Sequence, residues 1–155
     1  MVLVNVEVKD GEGFEAAVFG FSHLQVEKTH RRYCGQPPLD VCIRRVRNLQ
    51  SQLGWSPRRP TTKVSKALFR TVASHLGKYK NKLRMFCALG TVLDFIHGTD
   101  LFFECNGKIV TVDLTISKKG KVSPKAMIVI TLQDMIMNRY YQKASRIADL
   151  LLRGQ

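Results

Sequence analysis

Residues 98–120, Gly-Thr-Asp-Leu-Phe-Phe-Glu-Cys-Asn-Gly-Lys-Ile-Val-Thr-Val-Asp-Leu-Thr-Ile-Ser-Lys-Lys-Gly, constrain the fold of this chain more than any other stretch. Asn106-Gly107 tolerates the positive φ angles of a tight hairpin turn, so the segment is predicted to form two short strands joined there. Each strand carries an aspartate where an apolar strand ordinarily has none. Asp100 stands at the entry to the first and Asp113 near the end of the second, so both fall at the open end of the hairpin. Two carboxylates close together repel unless something positive lies between them. A divalent cation such as Mg²⁺ does this with hard oxygen ligands. Lys118, Lys119 and Lys121 follow at once and offer cations for a phosphate. In outline this is the chemistry of metal-assisted phosphodiester cleavage.

The rest of the chain is read around that hairpin. Val2–Val8 alternates apolar and polar residues as a strand does, Asp10-Gly-Glu-Gly13 breaks it, and Phe14–Val26 is ambiguous. Leu39–Leu53, Ser65–Tyr79 and Lys82–Ile96 have helical periodicity, with Arg44, Arg45 and Arg47 projecting from the first. Lys63, Lys66, Arg70, Lys78, Lys80, Lys82 and Arg84 decorate the other two. Trp55–Thr62 is a proline-bounded loop with Arg58 and Arg59, in which Trp55 is expected to pack instead of stacking on a base. Ala126–Leu132 is continuously apolar and β-branched, like a strand covered on both faces. Gln133–Arg153 is expected to be one amphipathic helix. The expected fold is therefore α/β (α+β), a mixed central sheet flanked by helices. Its expected parts are a basic helical N-terminal module (1–62) and an α/β core (63–155), with one compact domain as the alternative.

The 155 residues carry a formal charge of +13, and the excess is concentrated. Fifteen of the 25 Lys/Arg but only two of the 12 Asp/Glu lie between Gln25 and Met85. Elsewhere the charges cancel. A segment this basic, next to paired carboxylates, points to a polyanion partner, with nucleic acid favoured over a membrane surface. No run approaches the roughly 18 apolar residues of a membrane span. The N-terminus does not read as a signal peptide, which leaves the cytoplasm, the nucleoid or a host cell's cytoplasm as the expected location. Cys34, Cys42, Cys87 and Cys105 lack paired spacing and are expected to be reduced thiols. His30, Cys34 and Cys42 match no common zinc pattern.

Gly-Thr-Asp100 followed by Asp113-Leu-Thr115 resembles the motif of the PD-(D/E)xK, or restriction-endonuclease-like, nuclease superfamily. The likeness covers roughly residues 65–152. It implies a restriction-endonuclease-like core and Mg²⁺ (or Mn²⁺) held by Asp100, Asp113 and the Leu114 carbonyl. It also implies endonucleolytic hydrolysis of DNA. The family lysine falls on Thr115. Strand alternation places Asp113, Thr115, Ser117 and Lys119 on one face, so Lys119 is the expected replacement and Lys118 points away.

Arg44, Arg45, Arg47, Arg58, Arg59, Lys63, Lys66, Arg70, Lys118 and Lys121 are the expected backbone contacts, giving affinity with little sequence reading. RNA and self-association as a homodimer or higher homo-oligomer stay open. So do Glu104, Asp94, Glu15 and Glu27 as a third acid. The alternative function is a non-catalytic nucleic-acid-binding protein on the same fold. A protein–protein adaptor explains the charge less well, and a structural ion pair is the bland account of Asp113.

Overall fold

The computed structural model describes residues 11–20, 37–116 and 125–154. The expected Val2–Val8 strand, His30, Cys34 and Glu27 lie outside these residues, as do Ser117, Lys118, Lys119 and Lys121. In chain order the elements are α1 (Gly11–Phe19), α2 (Leu39–Arg47), α3 (Lys63–Ser74), a 3-10 helix (Gly77–Lys82) and β1 (Arg84–Cys87). Then come α4 (Val92–His97), β2 (Leu101–Cys105), β3 (Lys108–Thr115), β4 (Ile128–Thr131), α5 (Leu132–Ile136) and α6 (Tyr140–Leu152). The four strands form one sheet in the order β1-β2-β3-β4. β1 and β3 run antiparallel to β2, and β4 runs parallel to β3. This is a mixed sheet flanked by helices, an α+β arrangement.

The hairpin forms as its turn residues dictate. Asn106 and Gly107 have φ of 49° and 80°, the paired positive angles that a two-residue turn needs to match strand twist. Alternation then sorts the strand residues onto two faces. Leu101, Phe103, Val110, Val112, Ile128 and Ile130 pack with Phe14 and Val18 of α1, Leu68 and Val72 of α3, and Ile147 and Leu151 of α6. The opposite face buries Phe86 and Phe102, stacked with ring centroids 4.7 Å apart, beneath Cys42, Ile43 and Val46 of α2 and Val92 and Leu93 of α4. Residues on both sides of the Thr62 boundary contribute to the larger core: Phe14, Leu53 and Trp55 from one part, Val64 and the sheet from the other.

Three helical expectations are corrected. Lys82–Ile96 is not a helix but β1, a turn and the short α4. Met85 and Cys87 enter one core while Phe86 enters the other, so β1 is buried on both faces. A doubly buried strand reads as an apolar run that periodicity cannot separate from a helix. Gln133–Arg153 is two helices, parted at Asn138, whose φ of 57° lies in the left-handed region that Asn enters more readily than most residues. The helix expected over Leu39–Leu53 ends earlier, at Arg47, with turns carrying the chain to Gly54. α3 is the clearest of the expected helices. Thr62 and Ser65 form a reciprocal capping box, and Val64, Leu68 and Val72 follow at four-residue spacing on the buried side.

The outer edge of β1 is closed by side chains and a loop. Trp55 Nε1 donates to the Met85 carbonyl (2.8 Å) and Met85 N donates to the Pro57 carbonyl (2.8 Å). Gln50 pairs its amide with both backbone groups of Cys87, at 2.7 and 2.9 Å. Trp55 also meets Phe19 edge-on, with centroids 5.3 Å apart, so it packs. These bonds hold the Ser56–Pro60 loop, with its exposed Arg58 and Arg59, against the β1 side of the sheet.

Candidate metal centre and basic surface

Asp100 and Asp113 are brought together by strand register. The β2–β3 ladder ends at the Leu101–Val112 pair, one residue from each aspartate. Asp100 N donates to the Val112 carbonyl (3.0 Å), which keeps the two chains paired to this point. Both carboxylates are buried, at 4% and 7% exposure. Asp100 Oδ2 accepts a 2.7 Å hydrogen bond from Leu114 N.

Burial, foremost, drives the Asp100 carboxyl well above its ordinary value, and the charge of Asp94 adds to this. The Leu114 N–H opposes the shift, and the nearby Asp113 reinforces it. Asp94, on α4, accepts from Gly90 N through Oδ2 at 2.9 Å. The charges of Asp100, Asp94 and Glu15 also add to the burial that raises the Cys87 thiol. Asp94 thus acts on the pair's end of the sheet from α4, and Glu15, on α1, acts on Cys87 of β1. Both were among the four acids that the sequence left open as a third carboxylate, and packing of α1 and α4 brings their charges to bear on this end.

Among the described residues no three His, Cys, Asp or Glu side chains are grouped to hold a metal ion. What converges is a pair. Mg²⁺ is commonly bound by one or two carboxylates, with water and substrate phosphate completing the shell. Two buried carboxylates side by side fit that requirement, with the charge of Asp94 also bearing on Asp100.

Glu104 is not part of this end. Its carboxylate is bridged by Arg84 Nη2 (2.7 Å), its direct cross-strand partner, and by Arg47 Nη2 from α2. Arg47 thus ties α2 to the sheet. Thr115, at the family lysine's place, is half-buried and pairs in register with Thr131 of β4. Lys125 is a residue that sequence reasoning passed over. Its ammonium donates to the Ile96 carbonyl (3.0 Å), and its stem lies beside Gly98, two residues from Asp100.

The remaining expected contacts form a band. Arg44 and Arg45 are exposed on α2, over one face of the sheet, and Lys63, Lys66 and Arg70 on α3, over the other. Arg58 and Arg59 stand between them at the β1 edge. Ala88 N donates to the Asp100 carbonyl at 2.8 Å, so the carboxylate pair begins one strand spacing, roughly 4.8 Å, in from β1. No helix among the described residues is long and apolar enough to cross a membrane.

No family model, curated protein or solved structure matches the chain.

Proposed function

We propose that this protein is a metal-dependent DNA endonuclease of the PD-(D/E)xK kind. The juxtaposition of buried Asp100 and buried Asp113 at the end of the β2–β3 ladder is the observation that carries the reading. In an apolar sheet such a pair is costly unless a cation or a shared proton offsets it. Asp100 and Asp113, with the Leu114 carbonyl, would hold Mg²⁺ or Mn²⁺. When bound, the ion supplies a water of lowered pKa and shields charge accumulating on phosphorus.

Each group of the chain has a task in this reading. Asp100 would bind the ion as its carboxylate. Lys119 orients the attacking water or neutralises the phosphate, while Lys118 and Lys121 hold the flanking backbone. The band of Arg44, Arg45, Arg58, Arg59, Lys63, Lys66 and Arg70 grips phosphates beside the site, and Arg47 fixes the helix that presents part of it. Such an enzyme acts where DNA is, in the cytoplasm, at the nucleoid or in a host cell.

Thr115 favours a second reading, a nucleic-acid-binding protein that keeps the fold without the chemistry. Labelled duplex, branched and single-stranded DNA, and RNA, incubated with Mg²⁺, Mn²⁺ or EDTA, separate the two. Cleavage that needs the metal and disappears in Asp113→Asn supports the nuclease. Salt-sensitive binding with no cleavage under any metal selects the binding protein.

A further inference from the structure

The end of the sheet opposite the carboxylates carries its own concentration of cations. The 3-10 helix presents Lys78, Lys80 and Lys82, all exposed. Cys105 Sγ donates to the Tyr79 carbonyl (3.8 Å), which seats this helix beside the end of β2. Lys108, exposed, leaves the hairpin turn, and its Nζ lies 3.7 Å from where a side chain on Gly154 would begin. The exposed Arg153 is therefore alongside. The acids of this end are Glu104, already bridged by Arg47 and Arg84, and Asp149 on α6. Among the described residues no carboxylate is salt-bridged to these five cations.

A single surface lysine is usually just solvated. Five cations from three separate elements, gathered by folding around one turn, make a positive surface suited to a polyanion. From Asp100 to Cys105 the strand covers roughly 17 Å. This surface is too far from the carboxylates to touch the phosphate being cleaved. It is near enough to reach the same duplex about five base-pair steps away, at 3.4 Å per step.

We propose that the hairpin end is a second phosphate-contacting surface, an anchor that holds the backbone of the bound nucleic acid away from the carboxylate pair. This rests on the nucleic-acid reading above, and the partner is phosphate backbone, not an acidic protein. The test is the triple variant Lys78→Gln/Lys80→Gln/Lys82→Gln, with Lys108→Gln/Arg153→Gln as a second variant drawn from other elements. Affinity for a labelled duplex of about 30 base pairs is measured in EDTA from about 50 to 200 mM salt. Removing one cation from a phosphate lowers the slope of log affinity against log salt by about 0.9, so the triple variant should lower it by about 2.7 and weaken all sequences alike. Circular dichroism confirms that the variants are folded.

An unchanged slope in both variants, while Arg44→Ala/Arg45→Ala flattens it, overturns the anchor and leaves the nucleic-acid reading standing. Salt-independent binding by the unaltered chain overturns both. Loss of binding to an acidic peptide with duplex affinity intact assigns the surface to a protein partner and overturns the anchor.

Discussion

Asp100 lies beside Asp113 at the end of the β2–β3 ladder, one residue past the Leu101–Val112 pair, with its Oδ2 bonded to Leu114 N. An acid beside an acid at the end of a buried ladder is electrostatically unfavourable on its own, and this sets the first two predictions.

Asp113→Asn removes one negative charge and a metal ligand while keeping the side chain's size. Metal-dependent cleavage should be abolished, and duplex binding in EDTA should be equal or slightly tighter, since less negative charge faces the phosphate. Binding by anisotropy and folding by circular dichroism check this together. An unfolded Asp113→Asn would make Asp113 a structural ion-pair partner.

Stability should depend on pH and on metal in opposite senses. The Asp100 carboxyl is raised in the folded state, so between its unfolded value, about 3.9, and its raised folded value the native state holds more protons than the unfolded one. The contribution is fully present below the unfolded value and is lost as pH rises through the folded one. Thermal melts in EDTA should therefore show Asp100→Asn gaining stability relative to the native chain as pH rises from 4 to 8. Mg²⁺ binds only the ionised pair, so its stabilisation should be larger at pH 8 than at pH 5. At one hundred times its Kd it is worth about 2.7 kcal/mol. Equal Mg²⁺ shifts at both pH values would detach the ion from this pair.

Lys119 is the test of the displaced lysine. If β3 alternation continues beyond Thr115, Lys119 returns to the face of Asp113 and Lys118 does not. Lys119→Ala should slow single-turnover cleavage by about 10²-fold, as loss of a positioned electrostatic group does. Lys118→Ala should chiefly weaken binding. Equal, small effects on the chemical step would assign the role to neither.

Glu104 concerns the fold more than the site. Its carboxylate is 6% exposed and joins Arg84 to Arg47. Glu104→Gln leaves two guanidiniums facing each other. Breaking a buried pair costs about 3 kcal/mol or more, and the two arginines, at 42% and 34% exposure, recover part of that in water. A loss of about 2 kcal/mol by urea unfolding is expected, with α2 the element most affected.

Arg44→Ala/Arg45→Ala should flatten the salt dependence of duplex binding. Six phosphate contacts would give about a 10³-fold fall in affinity between 50 and 200 mM salt, and each arginine removed should lessen it for all sequences alike.

The sequence by itself determined the hairpin, because the Asn106-Gly107 turn, the alternation on either side and the placing of both aspartates at the open end are local properties of the chain. α3 was equally legible, since its cap and its apolar spacing lie within a dozen residues. Trp55 was read as a packing residue, but its actual service to Met85 on the β1 edge was not visible. Tertiary structure alone decided that Met85–Cys87 is a strand. Its two faces enter different cores, and the ladder with Leu101–Phe103 outweighs a helical pattern that fitted equally well. It alone separated Glu104 from the other acids, because its place beside Arg84 and beneath Arg47 depends on strand register and helix docking. Asp94 reached the neighbourhood of Asp100 the same way. Charges distant in sequence become neighbours only when burial of the apolar faces fixes which element lies over which, and that is a property of the whole packed chain.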